Sequence, residues 1–162
     1  MAAVGVDKSD VIDGVFLKKL SAIRDERGFL MEMFRSDDLF FRKFGQVYLT
    51  VCNPGFVKGW HLHRKQTDNF TVVKGNARIL LYDDRPGSKT RGGSLEVYAG
   101  EKNPMLVSIP PGVLHGFENL EGEPFYVINC PSEVYNRKEP DEIRVDPFNN
   151  DIPLKWKNRR GR

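Results

Sequence analysis

Apolar residues alternate with other residues in many short runs along this chain, and glycine and proline separate the runs. An alternation with period two places successive side chains on opposite faces of a strand. Short runs at spacings of about ten residues are typical of an all-β sandwich or barrel. The runs are VFLKKL, FLMEMF, VYLTVC, NFTVVKG, ARILLYDD, SLEVYAG, MLVSIP and FYVINC.

One stretch departs from this alternation and predicts a short helix. In SDDLFFRKF (residues 36–44), Ser36 suits the N-cap position, and Asp37 and Asp38 favour the positive end of a helix. Gly45 then ends the helix. No repeat or long linker divides the rest. We therefore expect one domain over residues 1–162, with a barrel and a wrapping arm over about 14–156 and a basic tail over 157–162.

The composition narrows the class of protein. With 40% hydrophobic and 29% charged residues, the chain reads as soluble and globular, and no apolar run approaches the ~20 residues of a membrane span. The N-terminus lacks the pattern of a secretory signal, and two cysteines form no disulfide framework, so a cytoplasmic location is expected. Much of the net charge of +3 lies in the tail, expected to be a solvated or disordered end. Neither nucleic acid nor a membrane is therefore an expected partner.

The chain has three histidines, and two of them flank a single leucine. His61 and His63 project from the same face if they lie on one strand. With His115 and the nearby Asp68 they offer three imidazoles and a carboxylate, a set that can hold a divalent transition metal. A histidine can equally serve as a general base or pack in the core. The residues alone leave these three uses open.

The spacing around the histidines resembles the two-part cupin signature. The first part, H-x-H, three or four residues, Glu, six residues and Gly, is matched by His61, His63 and Gly75, with the shorter Asp68 in place of the Glu. The second part, P-x-G, two residues, His, three residues and Asn, is matched by Pro110, Gly112, His115 and Asn119. The resemblance implies an all-β cupin or jelly-roll barrel whose mouth these residues line.

A wider set of motifs resembles the dTDP-4-dehydrorhamnose 3,5-epimerase family, a metal-free branch of the cupins. The motifs stand in the family's order from residue 14 to residue 156: DERGFLMEMF, VKGWH, YDDRPGSKTRG, IPPGVLHGF and IRVDPFNNDIPLKW. The resemblance implies epimerisation or isomerisation of a nucleotide-linked 4-keto-6-deoxy sugar by removal of a proton beside the ketone. It also implies that no cofactor is required.

The family's roles are implied for the matching positions of this chain. His61 matches the general base, and Asp146 matches the carboxylate that orients and charges it. Arg27 and Glu32 match substrate-binding residues on an N-terminal strand that is swapped between the subunits of a homodimer. The other implied substrate contacts are Lys58, His115, Tyr135 and Asn129, of which Lys58 replaces an arginine and Tyr135 matches a tyrosine that stacks on the nucleotide base.

Two departures bear on the chemistry. The family's catalytic tyrosine falls at Ile128 or Asn129, and its lysine, which steadies the developing enolate oxygen, aligns with Asp68. The loss of such a stabiliser can cost ~3 kcal/mol or more of transition-state stabilisation. Two alternatives therefore stay open. One is a metal-dependent cupin oxygenase or isomerase that uses His61, His63, Asp68 and His115; the other is a non-catalytic cupin that binds a nucleotide sugar.

Overall fold

A computed structural model describes residues 6–162, which form strands and turns. The strands are β1 (Val6–Lys8), β2 (Phe16–Lys19), β3 (Ala22–Asp25), β4 (Gly28–Met31), β5 (Tyr48–Cys52), β6 (Phe56–His63), β7 (Asp68–Lys74), β8 (Asn76–Tyr82), β9 (Ser94–Gly100), β10 (Met105–Ile109), β11 (Leu114–Glu118), β12 (Phe125–Asn129), β13 (Glu142–Arg144) and β14 (Arg160–Gly161). The predicted strand runs all contribute to these elements. Residues 6–162 contain no helix that is long and apolar enough to cross a membrane.

Two six-stranded sheets make up the body of the fold. One has the order β1-β2-β10-β7-β12-β5; the other has the order β13-β6-β11-β8-β9, with β14 parallel to β6. Every other pairing within the sheets is antiparallel. The strands β3 and β4 form a separate hairpin.

The main core lies between the sheets, because alternate residues of each strand face inward. On β8, Ile79 and Leu81 join this core, whereas Leu80 packs on the outer face with Trp60 and Trp156. The C-terminal arm therefore covers the outer face of the second sheet. A third cluster, built around Phe40, covers the outer face of the first sheet.

The predicted helix at residues 36–44 is wrong. This segment forms turns, in which the amide of Phe41 donates to the carbonyl of Asp38 over 2.8 Å. The Asp38 carboxylate accepts two hydrogen bonds from Lys18 Nζ, at 2.7 and 2.9 Å, and one from the amide of Arg35 at 2.9 Å. Phe40 is buried beneath the sheet. These tertiary contacts outweigh the local capping signals.

The basic residues of the tail are exposed to solvent, as expected, but the tail is ordered by backbone pairing. Residues of β14 pair with β6, and Arg162 exchanges backbone hydrogen bonds with Val57 and Gly59. The preceding turn is held by Glu118, whose carboxylate accepts bonds from the amides of Lys157 and Asn158. The tail is thereby an additional strand beside the histidine-bearing β6.

Candidate functional site

The histidines meet because β6 and β11 approach each other closely. His61 pairs with His115 across the two strands, and the next pair along is Gly59 with Gly116. A Cβ on Gly59 would lie 2.8 Å from the Cα of Gly116, so only glycine permits this spacing. The rings of His61 and His115 stand 4.2 Å apart between centroids. His63 lies on the same face as His61, as the i, i+2 spacing predicts.

Asp68 is the acidic centre of the cluster and is 1% exposed. Its Oδ1 accepts hydrogen bonds from the side-chain amides of Gln66 (2.8 Å) and Asn129 (2.7 Å). Its Oδ2 lies 3.0 Å from Nε2 of His115 and 3.3 Å from Nε2 of His63. Burial alone would raise the pKa of Asp68, but His115 and His63, when their Nε2 atoms carry a proton, outweigh burial and hold that pKa well below its usual range.

The short contact between Asp68 Oδ2 and His115 Nε2 is not a hydrogen bond when the imidazole is neutral. Nδ1 of His115 lies 2.9 Å from the carbonyl oxygen of Val113, which only accepts, so this nitrogen carries a hydrogen. In a neutral ring, Nε2 then directs a lone pair toward a carboxylate oxygen. Both Nε2 and Asp68 Oδ2 are buried without a hydrogen-bond partner among residues 6–162. A proton or a metal cation at this point would remove the repulsion.

The pKa values of His61 and His63 are shifted in opposite directions. Burial, with the neighbouring His115, holds the pKa of His61 well below the ordinary 6.5, so the ring is neutral at neutral pH. Burial also acts to lower the pKa of His63, but the hydrogen bond and charge of Asp68 outweigh it and raise that pKa. His61 is therefore an unprotonated imidazole at neutral pH, whereas the contact with Asp68 favours the protonated form of His63.

Both rings line an open cavity of about 980 Å³. Its volume is that of a small-molecule or cofactor site, about 300–1,000 Å³. Three cations line it, namely Lys58, Arg144 and Arg162. Lys58 Nζ donates to Thr50 Oγ1 at 2.9 Å. The half-exposed ring of Tyr135 also lines the cavity. A basic and aromatic rim over a neutral histidine suits an anionic ligand with a flat ring.

Two predicted substrate contacts lie deeper than expected. His115 is 2% exposed and Asn129 is fully buried, and neither belongs to the cavity lining. Each instead contacts Asp68, His115 through its ring and Asn129 through its amide. These two residues position the groups that line the cavity.

Three predicted site residues are not brought to the cluster. Asp146 is exposed, and its Oδ1 accepts bonds from the amides of Phe148 (2.8 Å) and Asn149 (2.9 Å), as an aspartate before a proline does in a turn. It makes no hydrogen bond to His61 in the described part of the chain. Arg27 pairs with Asp25, and Glu32 pairs with Arg35, away from the cavity.

Other residues of the cavity and the histidine cluster were not among the predicted site residues. Tyr48, on β5, lines the cavity, and its hydroxyl lies 2.8 Å from Asn129 Nδ2. Gln66 joins the ring of His63 (3.2 Å) to the carboxylate of Asp68. The alternation in VYLTVC puts Tyr48 and Thr50 on one face, which was the available signal for Tyr48. No local sequence pattern identifies Gln66 as a residue of the cavity.

The cluster also has the donor set of a metal site. One ligand atom from each of His61, His63, Asp68 and His115 lies within 4.8 Å of the others. The hydrogen bond from His115 to a backbone carbonyl is the support that metal-binding imidazoles usually have. The unpartnered Asp68 Oδ2 and His115 Nε2 point to the same space. The donor set fits a divalent transition metal.

Known proteins resemble this chain along nearly its whole length. It is 40% identical over 146 residues to the spore coat polysaccharide biosynthesis protein SpsL of Bacillus subtilis, covering 90% of this chain and 97% of that protein. It is 37% identical to the probable low-salt glycan biosynthesis epimerase Agl13 of Haloferax volcanii, with 83% and 87% of the two chains covered.

Solved structures show the same architecture. The dTDP sugar isomerase of Desulfovibrio desulfuricans G20 matches with a TM-score of 0.84 and 31% identity over 95% of each chain. The 4-keto-6-deoxy sugar epimerase NovW of Streptomyces spheroides matches with a TM-score of 0.85 over 99% of this chain and 82% of its own; at 20% identity it shows the fold alone. The predicted cupin-type barrel is confirmed.

The family resemblance is confirmed as well. The sequence profile of the dTDP-4-dehydrorhamnose 3,5-epimerase family matches residues 9–161, which include every strand after β1 and all three histidines. This chain belongs to the dTDP-4-dehydrorhamnose 3,5-epimerase family.

Proposed function

We propose that this protein is an epimerase or isomerase of a nucleotide-linked 4-keto-6-deoxy sugar that removes a proton beside the ketone. One observation carries the proposal: a neutral imidazole, His61, lines a basic-rimmed cavity in a chain of this family. The names of SpsL and Agl13 support a role in making a surface polysaccharide or glycan.

The state of His61 suits proton abstraction. A carbon acid next to a carbonyl needs a base that is unprotonated at working pH and within reach of the substrate. The lowered pKa of His61 supplies the first condition, and its place in the cavity lining supplies the second. The charge of Asp68 opposes the effect of burial on His61 and stabilises the imidazolium formed during the reaction. Asp68, rather than Asp146, is therefore the carboxylate we propose acts on the base.

The cavity rim suits the rest of such a substrate. We propose that Lys58, Arg144 and Arg162 contact the diphosphate and that Tyr135 stacks on the nucleotide base. Arg144 is held by Glu142 at 2.8 Å, so its guanidinium is already oriented. The proposed reaction needs no cofactor. The cytoplasm remains the predicted location, and Cys52 and Cys130 are both free thiols.

Solvent exchange tests the proposal. The protein is incubated in D₂O with dTDP-, UDP-, CDP- and GDP-linked 4-keto-6-deoxy sugars, and deuterium uptake is followed by mass spectrometry and NMR. We expect uptake beside the ketone of at least one sugar, and a loss of at least ~100-fold in the His61→Asn variant. A Lys65→Gln variant, changed in an exposed residue near the histidines, is the control. Binding of every sugar without exchange would instead indicate a non-catalytic nucleotide-sugar-binding cupin.

We also propose a homodimer in which the β3–β4 hairpin of one subunit reaches the cavity of the other. The hairpin pairs with neither sheet and exposes Ile23 (70%), Phe29 (60%) and Leu30 (60%). Such apolar exposure is typical of a surface that another chain covers. Arg27 and Glu32 lie on or beside this hairpin and outside their own subunit's cavity, so a swapped arrangement would bring them to the partner's cavity.

Mixing two inactive variants tests the dimer. In a swapped dimer of His61→Asn with Arg27→Ala, one site holds both defects and the other holds both native residues. We expect the mixture, after joint refolding, to regain activity in up to half of the sites of each mixed dimer. Light scattering should give twice the chain mass. A monomer, or a mixture as inactive as its components, would contradict the proposal.

A second candidate is a metal-dependent cupin enzyme, an oxygenase or isomerase. The unpartnered Asp68 Oδ2 and His115 Nε2 favour it, since both would be ligands together with His61 and His63. A cation held there would polarise a carbonyl oxygen as a Lewis acid, which is the type of stabilisation the missing lysine provides elsewhere in the family. His63 distinguishes the two candidate functions, because only the metal-dependent enzyme requires it, as a ligand.

Elemental analysis decides between them. The protein is purified without chelator, and transition metals are counted per chain in the native protein and in His63→Asn. The metal candidate predicts about one ion per native chain, almost none in the variant, and visible absorption on loading with Co²⁺. Native protein without metal, whose melting temperature no added transition metal shifts, would exclude the metal candidate.

A further inference from the structure

The family's catalytic tyrosine is absent from β12, but the structure supplies another tyrosine beside the same position. Asn129 closes β12, and its direct partner on β5 is Tyr48. Their side chains are joined over 2.8 Å. We infer that Tyr48 is the catalytic acid that returns a proton to the sugar carbon, an inference that rests on the proposed epimerase function.

The hydrogen bonds around Asn129 fix the direction of the Tyr48 hydroxyl. Asn129 Oδ1 accepts the amide N–H of Asn69 at 2.9 Å, so the other end of the amide is the NH₂ group. One hydrogen of that group goes to Asp68 Oδ1 and the other to the hydroxyl oxygen of Tyr48. Because an amide nitrogen only donates, the tyrosine oxygen is the acceptor. The hydroxyl hydrogen of Tyr48 is left free for a ligand.

The position of Tyr48 complements that of His61. Tyr48 comes from the first sheet and His61 from the second, and both line the same cavity. A sugar ring between them would meet the base on one side and the hydroxyl on the other. Inversion at a carbon requires this arrangement, since the proton leaves one face and returns to the opposite face.

Tyr48 also keeps its proton at neutral pH. Burial and the nearby carboxylate of Asp68 raise the pKa of Tyr48 to about 12. A group in this state donates a proton and does not remove one, so its protonation complements that of the neutral His61. The two side chains have distinct roles as acid and base.

The proton balance of the step is simple. His61 removes the C–H proton, and the bonding electrons form the enolate, whose charge rests on the ketone oxygen. Tyr48 then gives its hydroxyl proton to the same carbon from the other face while the enolate returns to the ketone. The resulting phenolate takes a proton from water, and the His61 imidazolium releases one to water.

The Tyr48→Phe variant tests the inference because it removes only the hydroxyl. In D₂O, His61 can still remove the sugar proton and return deuterium to the same face. We expect the variant to form epimerised product at least ~100-fold more slowly than native protein while the recovered substrate still gains deuterium. Tyr126→Phe, on β12 and outside the cavity lining, is the matched control and should leave both rates unchanged.

Three other outcomes would overturn the inference about Tyr48, and one of them would also overturn the proposed function. Product formed by Tyr48→Phe at the native rate would overturn the inference. A folded variant that loses exchange and product equally would also overturn it, because Tyr48 would then act in binding. A native protein that exchanges no deuterium with any of the sugars would overturn the proposed function itself, and this inference with it.

Discussion

Asp68 and Glu118 are both buried carboxylates, with exposures of 1% and 0%, yet their surroundings differ. Glu118 has donors at both oxygens: the guanidinium of Arg78, the backbone amides of Lys157 and Asn158, and the side-chain amide of Asn158. Asp68 has amide donors at Oδ1 only, while Oδ2 faces two imidazoles without a proper hydrogen bond. A carboxylate paired at both oxygens holds the chain together, whereas one left half-paired beside a cavity is available for chemistry.

The largest effect is expected from Glu118→Gln. The new NH₂ group would face N–H donors in place of an acceptor, leaving Arg78 with only Glu96 as an anionic partner. Breaking a buried ion pair in this way should lower the free energy of unfolding by about 3 kcal/mol or more. Urea unfolding measures the loss, with the exposed Glu123→Gln as a control expected to change it by less than ~0.5 kcal/mol. A loss below ~1 kcal/mol for Glu118→Gln would remove the distinction between the two carboxylates.

The corresponding change of acid to amide at Asp68 should affect activity strongly and stability little. In Asp68→Asn, the remaining oxygen can still accept from Gln66 and Asn129, and the new NH₂ can donate to the lone pair on His115 Nε2. The free energy of unfolding should therefore stay within ~1 kcal/mol of native or rise. Activity should fall at least ~100-fold, because the charge that stabilises the imidazolium is gone. Urea unfolding and the deuterium-exchange rate provide the two measurements; a variant as unstable as Glu118→Gln would contradict this view of Asp68.

The barrel and its histidines are predictable from sequence because their signals are local or regularly spaced. Period-two alternation identifies the strands, and the i, i+2 spacing places His61 and His63 on one face. The fixed distances to Asp68 and His115 mark the remaining members of the cluster. Family resemblance adds the chemistry that these residues share.

The features that were missed depend on partners far away in the sequence. The helix predicted for residues 36–44 does not form, and Lys18, far away in the sequence, binds the carboxylate of Asp38 there. The proposed role of Tyr48 depends on its contact with Asn129 on another strand. The role that the family resemblance implies for Asp146 stays a prediction, because its carboxylate accepts turn hydrogen bonds and does not contact His61 in the described residues. Pairing across strands is set by the whole fold, and no short window of sequence contains it.

A smaller loss of stability is expected from a change at Asn158, which links Glu118 to the tail. Asn158 Nδ2 donates to Glu118 (3.0 Å) and to the carbonyl of Asn119 (2.9 Å). Asn158→Ala should lower the free energy of unfolding by about 1 kcal/mol, since Glu118 keeps its other donors. The Michaelis constant should rise more than kcat falls, because Arg162, in the cavity lining, follows this turn. Urea unfolding and steady-state kinetics test this, with the exposed Asn149→Ala as control; a change in kcat alone would contradict it.

The smallest effect is expected from a change at Glu96, which shares Arg78 with Glu118 but is one-third exposed. Hydrogen bonds from Arg78 lower the pKa of Glu96 to about 2, from an ordinary 4.5. Because the folded pKa is the lower one, the ion pair contributes its full stability above about pH 4.5 and loses it as the pH falls toward about 2. Solvent screening limits that contribution, so Glu96→Gln should cost at most ~1 kcal/mol near pH 7. The difference between native and variant proteins in urea unfolding should shrink below about pH 4.5; a difference that stays constant down to about pH 3 would show that packing of the side chain, and not its charge, stabilises the fold.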